Sequence, residues 1–356
     1  MKRIAADRLL RLVERAILRR GLSNEHAAWV ADGLVETSLR GSDTHGVRLA
    51  PTLLAELDGG RSKARPEMVW HGSASTVRTL DAGAALGIVA GRTATAEVVR
   101  LAREHGLGAV AVNNSNYFGS AAIYSVEMAR RNLAGLAFTN SDALVAPHGG
   151  IVPFFGTNPF SFAMRGEAED DLLCIDMATS QIAFSKIRER RLAGLPLEPG
   201  WAVTADGRDA AEAGSAQVVA LKPLGGHKGM CLALLVEVVT SVLAGDLLDH
   251  ELTHLFDPPW DKPRRTSHLF VGFELGAFGP VEQVRGRLSR LLALLRSQTA
   301  AASTERIVAP GDLEAEAAEE RQKRGIPVTD ADLEALHRID AEAPPEQREL
   351  NEQVDR

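Results

Sequence analysis

Between residues 5 and 40 apolar side chains return every three or four positions. Leu9, Leu10, Val13, Ala16 and Ile17 form one face, and Gly21 stops it. Ser23, ahead of His26 and Ala27, is placed as the N-cap of a second helix reaching about Leu39. A third helix runs from about Pro51 to Leu57 and closes at Gly59-Gly60. Residues 66–80 read as short strands. Gly87 to Glu104 is a long Ala- and Val-rich helix, followed by Gly106-Leu107-Gly108 and a strand over Ala109–Asn113, which makes an αβ unit. A helix over 120–133 and a strand over Leu133–Thr139 follow. From 150 to 220, runs such as VPFFGTNPFSFAM and DLLCIDMATS predict short strands between turns, hence a mainly antiparallel sheet. Residues 229–244 form a strongly apolar helix, 268–273 a strand, 281–298 an amphipathic helix with Arg285, Arg287 and Arg290 on its polar side, and 312–324 a solvated helix. From 341 to 356 there is little to bury, and a disordered tail is expected.

Composition narrows the class. A chain of 356 residues, 45% hydrophobic, has room for two to three domains and a large core. Its 40 Lys and Arg against 47 Asp and Glu leave a formal charge of −7, unsuited to sequence-independent nucleic-acid binding. No apolar run has the 18 or so residues of a membrane helix. The Arg- and Leu-rich start lacks a secretory apolar region, and Asp7 and Glu14 argue against a transit peptide. Two cysteines, Cys174 and Cys231, make neither a disulfide scaffold nor a Cys-based zinc site. A cytoplasmic location is the expectation.

Six polar clusters carry candidate chemistry. Arg40-Gly41-Ser42-Asp43-Thr44-His45-Gly46-Val47-Arg48 sets a hydroxyl, an imidazole and two guanidinium groups in one loop between helices. His45 titrates near neutrality, and Arg48 offers a two-point grip on a carboxylate. A plain helix-connecting loop would have the same composition. Asn113 to Gly119 follows a strand, where α/β folds gather ligands; it also reads as an ordinary polar turn. Gly156-Thr157-Asn158-Pro159 and Asp176-Met177-Ala178-Thr179-Ser180 are further turns, with Asp176 at a strand end either to orient a His or to cap a helix. Gly225-Gly226-His227-Lys228-Gly229 opens the apolar helix and is physically an anion site, without Walker spacing; no GxGxxG follows any strand. His250-Glu251-Leu252-Thr253-His254 matches HExxH, with Glu274 as a third zinc ligand, but the segment is short and ends at Asp257-Pro258-Pro259.

Together these clusters resemble the type II malate/L-lactate dehydrogenase family, the group unrelated to Rossmann-type lactate dehydrogenases, over about residues 5–330. The carrying segments are LRGSDTHGVR, Asp81 to Ala90, Asn114 to Gly119, Phe155 to Pro159, Asp176 to Ser180, Gly200-Trp201-Ala202, Gly225 to Gly229, Ala309 to Asp312 and Gly325-Ile326-Pro327. The resemblance implies an α/β (α+β) fold, with a helical domain from both termini and a non-Rossmann cofactor domain on a largely antiparallel sheet. The expected division is 1–60 with 305–340 for a helical, dimerising domain, 61–125 for an α/β substrate-site subdomain, and 126–300 for NAD(P) binding. The resemblance also implies a homodimer, NADH or NADPH as cofactor, and a small carboxylate substrate. By position it makes His45 catalytic, with Thr44 and Asp176 as its relay partners, and Arg48 the carboxylate clamp, with Asn116 and Thr52 beside the substrate. Ser141, Thr157, Asn158, Asp176, Met177, Ala178, His227, Lys228, Gly229, Pro310, Gly311 and Asp312 become cofactor contacts.

Three positions depart from the family pattern. Thr44 stands where Ser is usual, Thr52 where Tyr is common, and Tyr117 where the hydroxy-acid enzymes carry a proton-transferring His. A phenol, with an ordinary pKa of about 10, suits donation to a carbonyl better than alcohol oxidation. The expected activity is therefore reduction of a 2-oxo acid. Reduction of a cyclic imine-2-carboxylate is the alternative, a zinc peptidase through His250, Glu251 and His254 is one of another class, and a cofactor-binding protein without turnover is a third.

Overall fold

The structure, a computed structural model, describes residues 2–350 except 169, 170, 214–216, 345 and 346. The chain opens with β1 (Lys2–Ile4), α1 (Ala6–Arg19), α2 (Asn24–Leu39) and α3 (Ala50–Gly59). Ser23 caps α2 as its position predicts, its hydroxyl accepting from the His26 amide at 3.1 Å. Next come β2 (Val69–His71), β3 (Val77–Asp81), α4 (Gly87–His105), β4 (Leu107–Ser115), α5 (Ala122–Arg130), β5 (Leu133–Thr139), β6 (Phe160–Arg165) and β7 (Leu172–Met177). The rest comprises α6 (Phe184–Leu192), β8 (Ala202–Thr204), α7 (Ala210–Ala213), β9 (Val218–Leu221), α8 (His227–Glu237), β10 (Thr266–Glu274), α9 (Val281–Arg296), α10 (Asp312–Arg324), β11 (Ile326–Val328) and α11 (Asp330–Ala341).

The main sheet has seven strands in the order β2-β3-β4-β10-β5-β6-β7. Only β3 and β4 run parallel, and α4 makes the crossover between them. Every other neighbouring pair is antiparallel, so the sheet is not doubly wound and offers no Rossmann crevice. β10 arrives from far along the sequence and takes the centre, pairing His268 with both Val112 and Thr139. Glycine lets α4 lie close on this sheet: a Cβ on Gly108 would meet the Val98 carbonyl oxygen at 2.4 Å.

The largest apolar core joins α1, α2 and α3 to α4, β4, β5 and β10 through residues such as Leu34, Leu53, Ile88, Val110 and Phe270. It therefore crosses the expected boundary at residue 60. A second core, around Val145, Phe155, Ile187, Leu221 and Ala233, lies beneath the turns of the 140–235 region. The two chain ends meet: β1 pairs with β11, and α1 packs on α11. The expectation of a disordered tail from residue 341 is corrected for the described residues up to 350. Ala343 and Leu350 are buried, and the Asp340 carboxylate accepts from the amides of Glu349 and Leu350 at 2.9 and 2.7 Å. Glu349 also pairs with Arg11 and Arg15, so α1 supplies the charges that hold this segment. Residues 351–356 lie outside the described residues.

Candidate active site

The polar run after β4 is mostly structural. Asn113 donates to the Ala244 carbonyl at 2.8 Å, and Asn114 to Asp81 at 2.8 Å. The Ser115 hydroxyl pairs with His268 Nε2 at 2.9 Å. Asn116, expected beside the substrate, is fully buried. Its Nδ2 lies 3.1 to 3.3 Å from the carbonyls of Arg61, Ala84 and Ala85, and its Oδ1 accepts from the Arg264 amide at 2.9 Å. That expectation is corrected: an amide holding three loops has no polar atom left for a ligand. Tyr117 is the exception in this run. Its hydroxyl is buried and without a hydrogen-bond partner among the described residues. Burial, with Asp176 and Glu56 adding to it and Arg264 opposing, pushes the phenol well above its ordinary pKa.

His45 faces this phenol, with ring centroids 6.4 Å apart. Its loop is clamped from two sides. Ser38 of α2 accepts from the Val47 amide at 3.0 Å, and Arg321 of α10 pairs with Asp43. The tight fit needs Gly46, where a Cβ would fall 2.0 Å from Ser38 Oγ. Thr44 Oγ1 lies 2.9 Å from His45 Nδ1, so the residue at the family's Ser position makes a hydroxyl–imidazole bond. Burial lowers the His45 pKa, leaving the ring neutral and available as a base at pH 7.

Asp176 does not complete a His45 triad. Among the described residues its hydrogen-bonding side chain is Ser120, at 2.9 Å, and its charge acts on Tyr117. The reason lies in register: Asp176 pairs across the sheet with Ser161 on β6, beside the turn that carries Ser120 and Tyr117. Its carboxyl has solvent-accessible surface at the floor of a cleft, but protein walls crowd it and raise its pKa to about 6; Ser120 and Arg40 oppose that rise. A small polar cavity here is shared by Asp176, Ser120, Arg40 and Glu314. Arg48 donates from Nε to Asp332 of α11 at 3.1 Å, and Thr52 lies half-buried on the first turn of α3.

Four of the expected cofactor segments meet at one place. The Ser141 hydroxyl accepts from the Thr157 amide at 2.9 Å and lies 3.3 Å from Thr157 Oγ1. The Thr157 carbonyl accepts from the Thr179 amide and hydroxyl, which joins the turn to the Met177-Ala178 corner. The Thr179 carbonyl in turn accepts from the Leu224 amide, just before Gly225. α8 then begins at His227 with no side-chain cap. A Cβ on Gly229 would sit 2.2 Å from the Leu224 carbonyl oxygen, which explains the glycine. Uncapped amides, a helix dipole and the exposed Lys228 are the donor set a diphosphate needs, so these residues fit a nicotinamide dinucleotide.

Two expected cofactor side chains are engaged elsewhere. Asn158 is fully buried, donating to the Ala233 carbonyl at 3.1 Å and to Asp249 at 2.7 Å, because the turn must bury its own polar groups. Asp312 pairs with Arg296 at 2.7 Å and caps its own turn through the Ala309 amide. The Pro310-Gly311 turn does reach the strand that carries Asp176: the Pro310 carbonyl accepts from the Cys174 amide at 3.0 Å.

The zinc reading is overturned. Asp249–Glu251 is a single tight turn, and the backbone is extended by Leu252, so the two imidazoles never share a helix face. Glu251 accepts from the Leu248 amide at 2.8 Å, and His250 stacks on Phe154. Among the described residues no group of three His, Cys, Asp or Glu side chains is arranged to hold a metal.

Several residues of the site carry no signal in the sequence. His268 is fully buried beneath the Tyr117 turn, bonded to Thr139 at 2.7 Å and to Ser115, and stacked on Phe118; burial lowers its pKa to about 3. Glu56, Arg61, Asp142 and Arg264 form a buried charged cluster near Tyr117. Asp249 lies under the Gly156-Thr157 turn. They come from four stretches, at 56–61, 142, 249 and 264–268, and only folding brings them together.

With this geometry in place, similarity to known proteins can be read. Residues 4–337 match the family described as malate/L-lactate dehydrogenase. The chain is 31% identical over 345 residues to a malate dehydrogenase of Pyrococcus abyssi, covering 95% of this chain and 94% of that one. It is 32% identical over 277 residues to a (2R)-3-sulfolactate dehydrogenase (NADP(+)) of Chromohalobacter salexigens, covering 78% and 81%. A Δ1-pyrroline-2-carboxylate/Δ1-piperideine-2-carboxylate reductase of Pseudomonas aeruginosa is 33% identical over 251 residues, covering 70% and 75%. Among solved structures, malate dehydrogenase from Pyrococcus horikoshii OT3 superposes with a TM-score of 0.86 at 28% identity, covering 96% of this chain and 95% of that one. With these relatives, the chain is an NAD(P)-dependent oxidoreductase. The chain belongs to the malate/L-lactate dehydrogenase family.

Proposed function

We propose that this enzyme reduces a small 2-oxo acid, and that Tyr117 supplies the proton. The carrying observation is Tyr117, whose ring faces His45 and whose buried hydroxyl has no hydrogen-bond partner among the described residues. The nicotinamide supplies the hydride. Arg48 grips the substrate carboxylate, and Tyr117 donates to the carbonyl oxygen as negative charge gathers there. His45, steadied by Thr44, relays a solvent proton to the phenolate, taking it up on one ring nitrogen as it releases one from the other, and Asp176, steadied by Ser120, sets the field around it. A phenol whose pKa burial raises holds its proton too firmly to act as a base, which favours reduction over oxidation. Ser141, Thr157, Met177, Ala178, His227, Lys228, Gly229 and the Pro310-Gly311 turn contact the cofactor. The test is a screen of 2-oxo acids and cyclic imines with NADH and NADPH, read at the nicotinamide absorbance. No turnover on any of them would sink the reading, and nicotinamide binding without turnover would favour the cofactor-binding protein instead.

A second reading, reduction of a cyclic imine-2-carboxylate, has one supporting observation: an imine-carboxylate reductase is among the chain's relatives. An imine that enters protonated needs no donor at position 117. For the cofactor, Arg188 is an exposed base of α6 without an ion pair among the described residues, while Lys186 pairs with Glu189 and Arg190 with Glu198. Comparing KM for NADPH and NADH in Arg188→Ala tests whether it meets a 2′-phosphate.

The proposal extends to a cytoplasmic homodimer. Along α8 and its continuation to Leu243, the residues Cys231, Leu234, Leu235, Val238, Val242 and Leu243 form an exposed stripe at helical spacing. A second copy of the chain would cover it. Light scattering should give twice the chain mass, and Leu235→Asp with Val242→Asp should give monomers. No helix among the described residues is long and apolar enough to cross a membrane. Cell fractionation tests the location.

A further inference from the structure

We propose that Asp332, on the C-terminal helix, is the positioning residue of the substrate-carboxylate clamp, and that Glu189 is the carboxylate the substrate displaces from it. The proposal rests on the reading of Arg48 as that clamp. Arg48 lies in the one-turn helix Val47–Leu49, just ahead of α3. A guanidinium offers two edges, one through Nε and one through the Nη pair, and a carboxylate docks best on a fixed plane.

The Nε edge is taken. It donates to Asp332 Oδ2 at 3.1 Å across a separation of 284 residues. Asp332 is itself held. Thr329, the N-cap of α11, donates from its hydroxyl to the same Oδ2 at 2.6 Å and accepts from the Asp332 amide at 3.2 Å. A capped first helical turn thus fixes the carboxylate, the carboxylate fixes Arg48 Nε, and the guanidinium plane follows.

The Nη edge carries no hydrogen bond among the described residues. Its charged neighbour there is Glu189 of α6, with Oε1 3.7 Å from Nη1, too far for a hydrogen bond but within ion-pair range. Glu189 is also tied to Lys186 at 3.1 Å, so it can leave Arg48 without losing every cation. Two acids therefore meet one arginine in different roles. Asp332 orients it through the edge the substrate does not use. Glu189 competes for the edge that it does. Arg48 remains about a third exposed, so the competition is screened and modest.

The experiment uses the full-length enzyme with NADPH or NADH and two probes, oxaloacetate and Δ1-piperideine-2-carboxylate. It compares KM and kcat for wild type, Asp332→Ala, Asp332→Asn, Glu189→Gln and Arg48→Ala. Removing a charged hydrogen-bond partner should raise KM in Asp332→Ala by about 10-fold, with a smaller fall in kcat. Asp332→Asn keeps an acceptor oxygen for Nε and should fall between Asp332→Ala and wild type. Glu189→Gln should lower KM by about 2- to 5-fold, the scale of a screened ion pair. KM for the cofactor should stay near the wild-type value in all three. An Asp332→Ala enzyme with wild-type KM, alongside a large rise in Arg48→Ala, would overturn the positioning role and leave the clamp standing. Wild-type KM in Arg48→Ala would overturn the clamp and the proposal with it. A parallel loss of kcat, cofactor affinity and thermal midpoint in both Asp332 variants would assign Asp332 to the fold alone.

Discussion

The imidazole of His45 and the phenol of Tyr117 face one another with centroids 6.4 Å apart and planes tilted by 34°. One ring is bonded to Thr44; the other has a buried hydroxyl without a hydrogen-bond partner among the described residues. An unpaired buried hydroxyl costs about 1–3 kcal/mol, which a substrate oxygen arriving at that point would recover.

Tyr117→Phe should therefore slow 2-oxo-acid reduction strongly, because no other side chain of that turn keeps a free acidic proton. If the substrate is an imine that arrives protonated, the loss should stay under about 10-fold, roughly 1.4 kcal/mol of barrier. Tyr117→His should create or improve hydroxy-acid oxidation near pH 8, where an imidazole is an available base. Oxidation and reduction rates in the three enzymes decide it. An unchanged ratio would remove position 117 from proton transfer.

His45→Ala should cut turnover by about 10²–10⁴-fold and leave nicotinamide binding nearly intact, since the ring handles a proton and does not hold the cofactor. Fluorescence titration beside steady-state rates makes the comparison. Lost cofactor affinity with a preserved turnover number would mean the role is misassigned.

Asn116→Ala should act on the fold before the chemistry. It leaves the Arg264 amide and the three loop carbonyls without their shared partner, at a cost of about 3 kcal/mol or more. Urea unfolding should show the loss. A variant of wild-type stability with a raised substrate KM would restore Asn116 to the substrate site.

Asp249 gives a pH prediction. Burial, with Glu237 beside it, raises its carboxyl to about 7. The unfolded chain releases that proton near about pH 4, so the folded state binds more protons between the two values. Stability from this group is fully present below about pH 4 and is lost as pH rises through about 7. Asp249→Asn mimics the protonated form, since one oxygen can still accept from Gly156 and Asn158. Its stability relative to wild type should rise across that window in thermal melts. Parallel pH profiles for the two proteins would show that Asp249 does not titrate there.

Local pattern was enough for most elements. Three- and four-residue spacing placed the helices of the first forty residues, and the Leu133–Thr139 strand and the 312–324 helix fall where the alternation and charge put them. The candidate clusters were legible because glycines, hydroxyls and an imidazole in short turns mark close backbone approach and polar chemistry. Which polar atoms stay free was not legible. Asn113 to Tyr117 is one unbroken polar run in the sequence, and only packing shows four members bonded to distant segments and the fifth with its hydroxyl open among the described residues. HExxH failed for a related reason: two histidines four apart share a face only on a helix, and this segment turns once and extends. The Arg48–Asp332 pair, the central place of β10 and the seating of Leu350 depend on contacts between segments far apart in the chain. Sequence spacing determines what a local stretch offers; hydrogen-bond satisfaction across the closed core decides what remains for a substrate.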